Sequence, residues 1–213
     1  MDATLNQTLP PHSSRISFVL VRPSHPGNIG AAARAIKTMG FTDLRVVAPV
    51  DPEYRTNPDA VAFSTSSVDV LKHSRDYPSL EAALTDVALP FAMTGYSRRF
   101  GPALETMRQS ADRAGLWAEE NKGPGIAFVF GCERSGLTNE EVGLCRFATA
   151  IPANPLSQSL NLAQAVQIAA YEMHMALMAA EGHEGELYDW QSRFEHEQPA
   201  SVEAVEGFFR HWE

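Results

Sequence analysis

Two cysteines, Cys132 and Cys145, are all that the 213 residues contain. They are too few for a disulfide framework and lack the paired spacing of a zinc site, so the composition fits a reducing, cytoplasmic setting. The seven histidines are scattered, and no cluster of His, Cys and carboxylates has ligand spacing, which predicts no metal site. No run approaches the ~20 apolar residues that cross a bilayer. Residues 1–14 have neither the basic start nor the apolar core of a secretory signal, so no membrane partner is expected. The glycine signatures of nucleotide sites are missing as well. The first loop, Gly27-Asn28-Ile29-Gly30-Ala31, lacks the G-x-G-x-x-G spacing, and neither G-x-x-x-x-G-K-[ST] nor G-x-S-x-G occurs.

Basic charge is also scarce: Lys and Arg number 17 against 26 Asp and Glu, a net charge of −9. Taken whole, that balance argues against a nucleic-acid partner, but its distribution changes the conclusion. Residues 181–213 hold nine acids and two basic residues, so the body before them is nearly neutral, at −2. With 44% hydrophobic and 20% charged residues, the chain is neither fibrous nor disordered.

What is present reads as α/β. Residues 16–21 (ISFVLV) form a β-rich run, RPSHPGNIG a loop, and residues 31–39 a helix stopped by Gly40; residues 44–47 supply the next strand. This is a βαβ unit and the seed of a parallel sheet. Further on, 57–71, 79–84 and 112–121 read as helices, and 89–94, 126–130 and 148–151 as strands. A short helix begins near Thr138, and a long one runs over 160–180. The long helix carries a core stripe of Leu162, Val166, Ala169, Ala170, Met173, Leu177 and Ala180. A second stripe, Gln167, Tyr171, His174 and Met178, suits either a partner subunit or loops of the same chain. The chain divides into a disordered tail (1–14), a globular body (15–180), and an acidic linker leading to a short helix over 201–212.

Three clusters able to carry chemistry follow strands, where an open parallel sheet places its ligands. The first is Asn28 to Arg34, with an alanine run that permits close helix packing. The second, Gly131-Cys132-Glu133-Arg134-Ser135-Gly136, brackets a carboxylate with glycines that allow close backbone approach. The third runs from Ile151-Pro152 through Ser159-Leu160-Asn161. Each residue alone has a plainer reading: Arg34 as a solvated helix arginine, Glu133 as an ion pair with Arg134, and Ser159 or Asn161 as helix caps.

Taken together and in order, HPGNIGAAARAIKTMGF, FVFGCERSGLTNEE and IPANPLSQSLNLAQAVQIAAYEM resemble the three motifs of the SPOUT methyltransferases, specifically the TrmJ-type, SpoU-related tRNA/rRNA 2′-O-methyltransferases. The resemblance implies a SPOUT α/β-knot fold: a parallel sheet flanked by helices, a C-terminal trefoil knot, and a homodimer whose active site draws on both subunits. It implies S-adenosyl-L-methionine as cofactor, held by Thr94, Gly95 and Tyr96, by Gly131, and by Ile151, Gln158, Ser159 and Leu160. Arg34 matches the catalytic arginine, with Asn28, Glu133, Ser159 and Asn161 as the polar residues around it. Arg22, Arg98, Arg99, Arg108 and Arg134 are the candidate RNA contacts. The implied substrate is tRNA at a cytidine or uridine ribose, position 32, the first nucleotide of the anticodon loop. A related target is another tRNA position or rRNA, and a dinucleotide-dependent Rossmann enzyme is the alternative from a different class. TrmJ relatives carry a C-terminal extension, and FFRHWE resembles its beginning.

Overall fold

The computed structural model describes residues 12–95, 101–120, 123–180, 182 and 200–212. Two compact units divide after Gly182. The expected tail is described only from His12, and Ser13–Arg15 closes a short 3-10 turn rather than running free. The expected linker over 183–199 lies outside the described residues.

The first unit holds a seven-stranded sheet, parallel at every pairing, in the order β3-β2-β1-β6-β4-β7-β5. Inside it β1 (Ile16–Val21) is flanked by β2 (Asp43–Val47) and by the central strand β6 (Gly125–Phe130). All of β1 is buried because helices cover both faces, so its sequence is continuously apolar rather than alternating. Outward from β6 come β4 (Val87–Met93), β7 (Phe147–Ala150) and β5 (Leu104–Thr106). On the other side β3 (Arg75–Tyr77) is the edge. Alternation sends Phe18, Phe128, Phe91 and Phe147 to one face, where successive rings lie 5.9, 5.2 and 5.6 Å apart across four strands. Against that face pack α1 (Pro26–Thr38), α2 (Pro58–Ser64), α3 (Val68–His73), α5 (Met107–Glu120) and α7 (Leu162–Ala180). The opposite face is covered by α4 (Leu80–Ala83) and α6 (Asn139–Gly143).

Several elements differ from the sequence reading, each for a local reason. Helix α1 begins at Pro26, so most of the expected first loop is helical: Pro26 presets the first turn. Gly30 lets α2 come so close that a Cβ there would stand 2.0 Å from the Ala60 carbonyl oxygen. The helix expected over 57–71 is broken into α2, a 3-10 turn and α3 where Thr65 takes φ 48°. Helix α5 starts at Met107, five residues earlier than expected, and the three-residue strands β3 and β5 carry too little pattern to be read. Gly40 (φ 84°) closes α1 as anticipated, with the amides of Gly40 and Phe41 bonded back to Lys37 and Ile36. On α7 the core stripe is buried as far as Leu177, and His174 bonds the Met39 carbonyl of its own chain at 3.1 Å. Tyr171 remains exposed.

The second unit, taken alone, contains α8 (Val202–Trp212), capped by the Ser201 hydroxyl, with Val205, Phe208 and Phe209 exposed.

Candidate cofactor pocket and active site

Chain order sends β1 to β3 one way and the later strands the other, so the segments leaving the C-terminal ends of the paired β1 and β6 run to opposite sides, which is where an open parallel sheet forms a ligand crevice. Loops after β4, β6 and β7 meet beside it around a cavity of about 370 Å³. Thr94 and Gly95 come from the first loop, Gly131 to Leu137 from the second, and Ile151 with Gln158, Ser159 and Leu160 from the third. Met93, Phe130, Leu162 and Ala165 add an apolar wall. Every expected cofactor residue that is described lines this one space; Tyr96 lies outside the described residues.

The middle loop folds back on itself. The Gly136 amide bonds the Cys132 carbonyl at 2.9 Å, with Gly136 at φ 65°. A Cβ on Gly131 would sit 2.0 Å from the Gly136 carbonyl carbon, so only glycine permits this loop. The Thr94 amide bonds the Thr149 carbonyl at 2.8 Å and fixes the first loop to β7. Burial pushes the Cys132 thiol up, but hydrogen bonds from the Ser135 hydroxyl and the Ser135 and Arg134 amides, with the Arg22 charge, hold it below the ordinary thiol range.

Next to the cavity, Glu133 draws the three motifs together. One carboxylate oxygen accepts from the Ser24 amide (2.9 Å) and hydroxyl (2.8 Å), the other from the His25 amide (3.3 Å) and Asn28 Nδ2 (2.8 Å). Burial raises its pKa, yet the hydrogen bonds from Asn28 and Ser24 overcome this and hold it at about 2. Asn28 Oδ1 in turn accepts from Asn161 Nδ2 at 2.9 Å, while Asn161 Oδ1 caps α7 by accepting from Ala163 and Gln164 amides. Asn161 directly follows the third loop of the cavity, so the position of Gln158 to Leu160 is tied through Asn28 to Glu133. Of the expected catalytic residues, Asn28, Glu133 and Asn161 form one network and Ser159 lines the cavity. Glu133 does not pair with Arg134. Ser24 and His25 were missed by sequence reading, since their partner lies more than a hundred residues away and nothing local marks them.

Arg34 stands apart. It is exposed on α1, is not in the cavity wall, and its guanidinium has no hydrogen-bond partner among the described residues. Its neighbour Lys37 bonds Asp69 at 2.7 Å. The five expected RNA contacts separate. Arg22 makes a two-pronged pair with Glu141, which raises its pKa, and Glu141 also closes the Thr138 capping box, so this arginine braces β1 against α6. Arg108 is held by both Glu172 oxygens at 2.9 Å. Arg134 is exposed at the cavity rim. Arg98 and Arg99 lie outside the described residues.

A model of the SpoU rRNA methylase family matches residues 15–171. The chain belongs to the SpoU methylase family. The matched segment takes in all three loops of the cavity and the Glu133 network. Among similar SpoU-type proteins is the tRNA (cytidine/uridine/adenosine-2′-O-)-methyltransferase TrmJ of Pseudomonas aeruginosa, 41% identical over 178 residues, or 84% of this chain and 67% of that protein. The Photorhabdus laumondii tRNA (cytidine/uridine-2′-O-)-methyltransferase TrmJ is also 41% identical, over 77% of this chain and 66% of its own length. The chain therefore spans about two thirds of the curated relatives it matches. The crystal structure of TrmJ from Z. mobilis superposes with a TM-score of 0.68 at 34% identity, covering 92% of this chain and 77% of that one. Membership in this family displaces the dinucleotide-dependent reading. Its physical basis fails as well: the glycines of the first loop are inside α1, and Gly30 is buried under α2 instead of facing a ligand.

Among the described residues, no group of His, Cys, Asp and Glu is placed to hold a metal ion, and no helix is long and apolar enough to cross a membrane.

Proposed function

We propose that this chain is an S-adenosyl-L-methionine-dependent ribose 2′-O-methyltransferase acting on tRNA in the cytoplasm, at a cytidine or uridine in position 32 of the anticodon loop. The observation that carries the reading is the convergence of the loops after β4, β6 and β7 on a single cavity, the last two carrying the second and third motifs, with the first motif tied to them through Asn28 and Glu133. The cavity's volume is within the range of small-molecule sites, and its wall combines apolar side chains with a few polar groups. The residues fit the cofactor: Leu137, Ile151 and Leu160 offer apolar surface for an adenine, and Thr94, Gln158 and Ser159 offer polar atoms. At Gly95 the missing side chain leaves open space, the nearest atom to a Cβ there being Gln158 Oε1 at 3.9 Å.

When bound, the cofactor supplies an electrophilic methyl group. The protein holds the ribose hydroxyl in line with it, and that positioning accounts for much of the acceleration. Arg34 serves as an electrostatic group, since a guanidinium offers only donors and has no lone pair free to accept a proton. It stabilises the developing alkoxide, whose proton leaves to solvent as the methyl group is transferred, and grips the adjacent phosphate. Because Arg34 is absent from the cavity wall of its own chain, we assign the site to a homodimer in which a second copy brings this arginine. We read the segment after β7 as the threading strand of a trefoil knot. It leaves a strand beyond β4 and β6, and Asn161 then reaches Asn28 on the far side of both.

The test is incubation of the protein with radiolabelled S-adenosylmethionine and unmodified tRNA transcripts, followed by alkaline digestion. A labelled dinucleotide that resists alkali, mapping to position 32, is the expected product. S-adenosylhomocysteine should raise the melting temperature where NAD does not. A ribosomal RNA target is the second reading, favoured by the description of the matched family, and rRNA transcripts in the same assay decide between them.

A further inference from the structure

The described residues of the body offer few free cations for a protein that grips a polyanion. Among the described residues Arg22, Lys37, Arg45, Arg55, Arg75, Arg108 and Arg113 are each ion-paired to an acid of the same chain. Near the site this leaves Arg34 and Arg134. Phosphate contacts from the described residues are then few, and each adds a salt-sensitive increment. Surfaces that bind single-stranded nucleic acid add to such contacts by stacking bases on aromatic side chains. Within the first unit, the exposed aromatics among the described residues are Phe63 and Tyr171. Tyr171 lies on α7 next to Glu172, the residue that holds Arg108.

Phe63 is placed differently. It stands in the last turn of α2 with 57% of its surface exposed, and its ring edge lies 3.1 Å from where a Cβ of Gly27 would be. Gly27 is the residue between His25-Pro26 and Asn28, and so belongs to the segment that Glu133 clasps. Gly27 and Arg34 are seven residues apart on α1, two turns or ~10 Å, and share a face. The ring and the guanidinium therefore stand at two points of one strip that starts at the active-site network. Asp59, one turn earlier on α2, approaches Gly27 as well, with its Cβ 3.7 Å from the same point, and disfavours a phosphate at the ring end.

Resting on the RNA methyltransferase reading and its homodimer, we infer that Phe63 is a stacking platform for an unpaired nucleobase next to the ribose that the same chain's Arg34 engages at the second copy's cavity, with Arg34 holding the phosphate at the other end of the strip. An unpaired base offers a π-face whatever its identity, so this platform binds loop nucleotides without selecting their sequence.

The test compares wild type with Phe63→Ala, Phe63→Leu and Phe63→Tyr in the full chain. The readouts are the Kd for an unmodified tRNA transcript across a salt series, the Kd for S-adenosylhomocysteine, and the particle mass in solution. Loss of the ring in either Ala or Leu should weaken tRNA binding about tenfold or more, with Tyr restoring it. The slope of log Kd against log salt should stay as in wild type, because no counterion is exchanged at a ring; Arg34→Ala should lower that slope by about one. Affinity for S-adenosylhomocysteine and particle mass should not change. Unaltered tRNA affinity in Phe63→Ala, wild-type affinity in Phe63→Leu, or a fall in particle mass that accompanies the loss each overturns the platform while leaving the methyltransferase reading intact. Failure of the wild-type protein to bind or methylate any RNA overturns that reading, and the platform with it.

Discussion

Glu133 accepts four hydrogen bonds from the segment that opens α1, and its carboxylate is held at about 2 against an ordinary 4.5. The depressed value means that the folded state prefers the charged form. Its stabilisation is fully present above pH 4.5 and is lost as the pH falls toward 2. The group is only half-buried, so solvent screening reduces the contribution to about 1 kcal/mol. Glu133→Gln should therefore lower the urea midpoint at pH 7 by an amount equivalent to about 1 kcal/mol, and the gap to wild type should close as acid titrates the native carboxylate. A gap of equal size at pH 2.5 and pH 7 would show that the charge is not what the network uses. At this scale sequence and structure agree on which residues matter and differ on what they touch. Asn28, Glu133 and Asn161 were legible as polar residues within motifs. Their bonding to one another, and the part of Ser24, were not, because hydrogen bonds between loops on different strands follow from the order of the strands in the sheet. Arg22 and Arg108 show the same limit: both read as free cations until the fold supplies Glu141 and Glu172.

Among the elements, α1 illustrates how tertiary contact overrides local preference. Pro26, Gly27 and Gly30 look like a loop, and two glycines within the first turns weaken a helix by roughly 1 kcal/mol each. Contact with α2 reverses the outcome, since the glycine at position 30 is what allows the two backbones to touch. Gly30→Ala should then be destabilising although alanine is the better helix former. Its Cβ would meet the Ala60 carbonyl oxygen at 2.0 Å, and only a shift of one helix can relieve a clash with backbone. A loss of about 3 kcal/mol in urea unfolding is expected. Gly143→Ala, at the end of α6 with nothing within 4 Å, should be neutral or slightly stabilising. Equal effects at the two positions would contradict the packing argument. The elements that sequence did disclose carry their own local signal: the continuous apolar run of β1, the Gly40 stop, and the Thr138 capping box, where Glu141 and Thr138 bond each other's amides. Strands β3 and β5 owe their conformation to neighbours in the sheet and carry no such signal.

For the whole molecule, the separation of Arg34 from the cavity has a consequence for assembly that can be measured. If the arginine acts in the site of its own chain, a chain lacking Arg34 and a chain with a blocked cavity are each inactive, and mixing them restores nothing. If it acts across a dimer, the mixture behaves differently. A mixed dimer then contains one site carrying both defects and one carrying neither. Leu160→Glu places a charged side chain in the cavity wall, and Arg34→Ala removes the guanidinium; co-expressed in equal amounts, they form mixed dimers in half of the population. Half of the sites in those dimers are intact, so methyl transfer should return to about a quarter of the wild-type rate, while each variant alone stays inactive. Binding of S-adenosylhomocysteine gives an independent count: Arg34→Ala should bind at every site and Leu160→Glu at none. Absence of recovered activity from a sample whose mass shows mixed dimers would place Arg34 in the site of its own chain, and the loops around that site would then have to move to reach it.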